Sequence, residues 1–284
     1  MDAGYLTMLI PITSVTCLNM VIRLSVGRTR TRWGVIAANY ATAAVISLIL
    51  VMTGGGFHVS NFTVILGAVT GALYTGGMFL SMTTMGRRGA SIAASVTQLS
   101  VIVPVSVSVF IFNERLGGLQ ILGALVAVVS LPMLAYRKAS VDGPVEKGLI
   151  PLFVTMLVVQ GLAQLSSKAL VESGLEFERN VFFLVVFSSA LMCTIPLALR
   201  VKDKITFPRD AGYGMGVGLF NILTNMSILL ALNTLPASLF FPLNGSLGLL
   251  LTTFAAMMLF SEKINRLNAF GVALTLSAVI LINV

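Results

Sequence analysis

Apolar stretches of about twenty residues recur from one end of this chain to the other, and that recurrence decides what it can fold into. They run over residues 4–23, 33–53, 62–84, 91–112, 118–136, 149–171, 181–199, 212–232, 237–260 and 267–284. Each is long enough to cross a bilayer core about 30 Å thick as a helix, and lipid offers no partner for an unpaired backbone amide. The rest of the composition agrees: 57% of the 284 residues are hydrophobic, only 10% are charged, and mean hydropathy is +0.98. The expected fold class is an all-α integral membrane protein of ten transmembrane helices, multi-pass in the cell membrane, with the lipid bilayer as its main partner.

Charge excludes several other classes. The net charge of +8 sits in short loops between apolar runs and forms no continuous basic stripe, so no nucleic-acid partner is expected. Cys17 and Cys193 lie inside apolar segments without metal-type spacing, and His58 stands alone in a short loop. No metal, cofactor, phosphate-binding loop or nucleophile motif is read from the chain, which argues against an enzyme. The first apolar run lacks a basic leader and is long enough to remain in the membrane.

The segment RKASVDGPVEKG, where charge, Gly and Pro cluster, is the one stretch with the character of a linker. It divides the chain into a first five-helix repeat at 1–137, a linker at 138–148 and a second five-helix repeat at 149–284. FNERLGGLQILG from Phe112 and FSEKINRLNAFG from Phe260 match position by position, pairing Glu114 with Glu262, Arg115 with Lys263 and Gly123 with Gly271. A second echo pairs Asn19 and Arg23 with Gln164 and Lys168. With an odd number of helices per half, a head-to-tail duplication inserts the second copy upside down, an architecture common in secondary transporters. All Lys and Arg except Arg115, Lys168 and Arg179 cluster on the linker's side. The positive-inside rule then places the linker in the cytoplasm and both termini outside.

Ten spans in two fives, each five with a Glu-Arg/Lys pair and a following Gly at the entry to its last helix, resemble the drug/metabolite transporter superfamily, in particular its EamA-like ten-helix members. Residues 232–265, through Ser246, Gly248, Thr252, Thr253 and Glu262, resemble the last part of the small multidrug resistance proteins. The resemblance implies a small-molecule carrier and export of amino acids or related metabolites. It also implies termini in the cytoplasm, and from this the charge distribution departs. In small multidrug resistance proteins a glutamate eight residues before a lysine binds proton and cation in turn; here Gln160 stands eight residues before Lys168. The tyrosine and tryptophan of their drug site become Phe241 and Asn244. All acidic residues fall at or beyond helix ends, so no buried carboxylate is expected to serve as a proton switch.

The polar residues within the apolar runs are the candidate substrate site. In the sixth span Gln160, Gln164, Ser167 and Lys168 share one helical face, as Thr16, Asn19 and Arg23 do in the first. A polar stripe facing lipid is costly. Tyr74, with Thr70, marks the third span, and Asn221, Thr224 and Asn225 the eighth. Gln98 and Asn244 belong to the fourth and ninth, where Pro104 and Pro242 interrupt the helix ladder. Each alone reads more readily as interhelical glue, with Arg23 and Lys168 snorkelling to the interfaces. As a set they suit a small neutral or zwitterionic metabolite, whose hydration shell amides and hydroxyls would replace during alternating access. Three other readings stay open: a small organic cation/proton antiporter, an anion or sugar-phosphate exchanger using Arg23 and Lys168, and a lipid-linked sugar flippase. A monomer suffices for any of them, and a homodimer is possible.

Overall fold

A computed structural model describes residues 7–25, 28, 32–54, 59–88, 96–135, 149–199, 209–260 and 266–283. The linker 138–148, His58 and the Glu262–Lys263 pair lie outside the described residues. Within them the chain is helical and holds no strand. The helices are α1 (Leu9–Ser25), α2 (Arg32–Thr53), α3 (Asn61–Arg88), α4 (Ile102–Phe110), α5 (Gly118–Ala135), α6 (Leu149–Glu172), α7 (Arg179–Leu199), α8 (Arg209–Leu232), α9 (Ala237–Phe260) and α10 (Arg266–Asn283). Six helices are long and apolar enough to cross a membrane: α2, α3, α6, α7 with the 3₁₀ turn before it, α8 and α9. Their outer faces are those of a membrane-embedded protein, since Met192 and Met258 expose 73% and 86% of their surface. In water such side chains would form a large apolar patch; in lipid they need no cover.

Helix ends follow local chemistry. α6 stops where Gly174 takes φ +69°; the Gly174 N–H donates to the Val171 carbonyl and the Leu175 N–H to the Leu170 carbonyl, closing the end in a Schellman motif. α9 starts after Pro236, which has no side chain able to cap. Glu114 supplies the cap instead: its carboxylate accepts the Ala237 and Ser238 N–H groups, both at 2.9 Å, and the Ser238 hydroxyl. Asn113, at φ +53°, turns the chain that presents Glu114, and Asn is among the residues that tolerate this left-handed backbone. At the start of α3, Glu178 does the same work, accepting the Ser60 N–H at 3.0 Å and its hydroxyl at 2.8 Å.

Two compact units make up the chain: Met1–Met8 with Gly76–Leu165 and Ala231–Val284, and Leu9–Thr75 with Ser166–Leu230. Each draws helices from both sequence halves. The divisions fall at the start of α1, inside α3 and α6, and near the end of α8.

In the first unit α5 packs along α10. A Cβ on Gly123 would meet Ile282, Ala278 and Leu281, and one on Gly271 would meet Leu134 and Met133. These contacts are reciprocal: Gly123 and Gly271, Met133 and Leu281, and Leu134 and Ile282 are each related by one common offset. Between the two glycine contacts Ala127 and Leu131 are fully buried, and Thr275 donates to Ser130 at 2.9 Å.

The second unit repeats the device with different helices. Gly67 and Gly71 on α3 let α7 approach at Val185 and Ser189; Gly214 and Gly218 on α8 let α2 approach at Ala38 and Thr42. One offset again relates Gly67 to Gly214, Gly71 to Gly218, Val185 from Ala38, and Ser189 from Thr42. The backbone carbonyls that each added Cβ would strike, of Phe182 and Val186 in one pair and Val35 and Asn39 in the other, follow the same offset.

Candidate functional site

The candidate residues divide between the two units. Gln98, Gln160, Gln164 and Asn244 belong to the first; Asn19, Arg23, Tyr74, Lys168, Asn221 and Asn225 belong to the second.

In the first unit the polar residues gather where the fourth span is broken. A helical turn at 96–99 gives way at Ser100 and Val101, and α4 begins at Ile102. Pro104 explains the break, because it cannot donate to the Ser100 carbonyl; the Val103 N–H takes its place at 3.0 Å. The break therefore does not leave that carbonyl for a ligand. It does bring Thr97 and Ser100 toward α6. Gln164 Nε2 donates to Ser100 Oγ at 2.7 Å, Gln160 Nε2 lies 3.5 Å from Thr97 Oγ1, and Ser100 Oγ donates to the Thr97 carbonyl. Gly77 fits against the Gln160 side chain, and Gly245 of α9 lies near Gln98 Oε1. Beside Gly245, Asn244 Oδ1 is buried and accepts no hydrogen bond. An unpaired buried carbonyl costs about 1–3 kcal/mol.

The second unit holds a directional chain of hydrogen bonds. Tyr74 donates its hydroxyl to Asn225 Oδ1 at 2.7 Å, Asn225 Nδ2 donates to Asn221 Oδ1 at 2.8 Å, and Asn221 Nδ2 donates to Asn39 Oδ1 at 3.1 Å. Asn39 is absent from the sequence-based set; its only signal is that it is the single amide in an apolar run. Aromatic rings back the chain, with Tyr74 edge-on to Phe187 and Phe187 stacked on Phe183. Thr16, Thr70 and Thr224 return their hydroxyls to carbonyls of their own helices, so these positions settle their polarity locally.

Lys168 does not snorkel. It is only 5% exposed, and its Nζ lies 2.5 Å from Glu172 Oε1, one turn on. Burial of a long cation is tolerable here because a carboxylate and the C-terminal end of α6 both favour positive charge. Asn19 and Arg23 are half-buried on α1, and neither is without a partner.

The expectation that no carboxylate is buried is corrected. Glu178 is 4% exposed and Asp210 is fully buried. Both stand at helix ends, as the sequence indicates, but a helix end need not lie in water. For Glu178 the Ser60 N–H and hydroxyl, just before α3, replace part of the lost hydration.

No protein-family model and no curated protein matches the chain. Among solved structures that share its fold is the crystal structure of a protein with a TM-score of 0.77 at 15% identity over 98% of both chains.

Proposed function

We propose that the protein is a ten-helix secondary transporter of the drug/metabolite transporter type, built as two inverted five-helix repeats. It moves a small neutral or zwitterionic polar metabolite, such as an amino acid, by alternating access. The observation that carries this reading is the equivalence of the α3–α7 and α8–α2 glycine contacts. The offset that relates them also relates Tyr74 to Asn221, and those two residues are joined through Asn225. An inverted repeat with polar groups at equivalent positions is the arrangement in which carriers hold substrate. Export across the cell membrane, with the linker in the cytoplasm and both termini outside, is the matching orientation. A carrier of this kind needs no cofactor, and a monomer suffices for it.

The Lys168–Glu172 pair weighs against the anion or sugar-phosphate exchanger, because that cation already faces a carboxylate. The buried Glu178 and Asp210 favour a small-cation/proton antiporter as the second reading. Reconstituted protein distinguishes them. Radiolabelled zwitterions should enter proteoliposomes without a pH gradient, and Asn225→Leu should abolish the flux. Organic-cation currents that reverse with the pH gradient would instead establish the antiporter.

A further inference from the structure

The amides of the first unit are oriented unequally. Gln160 and Gln164 turn their nitrogen atoms toward Thr97 and Ser100. The Ser100 hydroxyl spends its own proton on the Thr97 carbonyl. What remains around this break includes one orphan acceptor, the buried Asn244 Oδ1, which has no donor; Gln98 Oε1 lies beside Gly245, and Gln160 and Gln164 carry their own side-chain oxygens opposite the engaged nitrogens. No Lys or Arg is among these residues, so a carboxylate or phosphate would meet no positive charge here, only the remaining amide N–H groups. A primary ammonium is the opposite case, a compact positive charge with three N–H groups and no acceptor. Amide oxygens can replace its hydration without a fixed negative charge, which allows release as well as binding.

We propose that the side-chain oxygens of Gln98, Gln160, Gln164 and Asn244 bind the primary ammonium group of the transported solute. This rests on the transporter reading and narrows it to solutes that carry such a group.

The test compares three forms of each probe in proteoliposomes of the full chain: L-serine, L-threonine, L-glutamine, L-leucine and L-phenylalanine, their N-acetyl derivatives, and the corresponding amines. The amino acids and the amines should be carried or compete, and N-acetylation should raise KM at least about tenfold. Asn244→Asp should lower KM for the amines about tenfold by adding a charge. Asn244→Leu should raise KM for amines and amino acids while leaving any N-acetyl flux unchanged. Circular dichroism and gel filtration identify a variant that has lost its fold, and the Asp variant stands as the independent arm. N-acetyl forms moving as well as their parents, or no change in amine KM in either variant, would overturn the ammonium site while leaving the transporter reading in place. Flux that needs Na⁺, fails in choline and ignores N-acetylation would assign the oxygens to a metal ion and also overturn it. Absence of flux for every probe in the wild-type protein would overturn both readings.

Discussion

Gly71 is the position where one carbon atom should matter most. A Cβ there would lie 1.9 Å from Ser189 Oγ, 2.4 Å from the Val186 carbonyl oxygen and 2.8 Å from the Ala190 amide nitrogen. The serine could rotate away, but the α7 backbone cannot move without unseating Phe182, Phe183 and Phe187, all fully buried. Overpacking of a well-filled interior costs about 1–3 kcal/mol, and contacts this short belong at the upper end. Replacing glycine by alanine inside a helix returns about 1 kcal/mol, so Gly71→Ala should cost about 2 kcal/mol net. Gly76, five residues on in the same helix, is the control: its Cβ would meet only Val159, at 3.9 Å. Gly76→Ala should therefore gain up to about 1 kcal/mol. The two variants should separate by about 3 kcal/mol, or about 5–10 °C in Tm. Thermal unfolding in nanodiscs can be followed by the fluorescence of Trp33, the single tryptophan. Adding Ser189→Ala to Gly71→Ala should recover only part of the loss, because the carbonyl clash remains. Equal Tm values for Gly71→Ala and Gly76→Ala would refute the close approach of α3 to α7.

Other perturbations follow from single groups. Tyr74→Phe removes the proton that Asn225 Oδ1 receives; it should cost about 1–3 kcal/mol in thermal unfolding and reduce flux, whereas Tyr40→Phe should leave flux unchanged. Glu172→Gln should destabilise more than Lys168→Met, by up to about 3 kcal/mol, since Lys168 is buried while the Glu172 side chain is 40% exposed. Equal Tm losses would argue against that asymmetry. Glu114→Ala should speed hydrogen exchange at Ala237 and Ser238 without affecting the middle of α9, and cost about 1–2 kcal/mol as helix caps do; unchanged exchange there would show that the cap is not formed.

Apolar run length made the helices legible in the sequence, because lipid imposes one answer on such a run. The pairing of Gly123 with Gly271 was readable as well, and both glycines prove to be points of close approach between α5 and α10. Contacts between helices distant in the chain were not legible. Asn39 carried no mark beyond being one amide in a greasy segment, and only the arrival of Asn221 gives it a role. Thr97 and Ser100 became polar partners because Pro104 broke the helix beside them, a consequence of geometry rather than composition. Sequence position placed Glu178 at a helix end, but burial depends on which other helix begins there. The amide set itself was found by asking which polar groups had no reason to be in lipid. Thr70 and Thr224 settled on their own backbones, while Gln160, Gln164, Asn221 and Asn225 reached other helical segments, as longer side chains with two-sided polarity are able to do.

Glu114 stitches together two lengths of chain made at different times. A ribosome delivers this carboxylate 123 residues before Ala237, whose amide it will hold. Until then its charge has no place in hydrocarbon and must keep its water. The corner that carries it is thereby left hydrated and unfinished during synthesis, waiting for the start of α9 to complete it. The same stitch is non-covalent and joins the two halves of the sequence, so a chain cut within 138–148 and expressed as two pieces retains a means of finding itself.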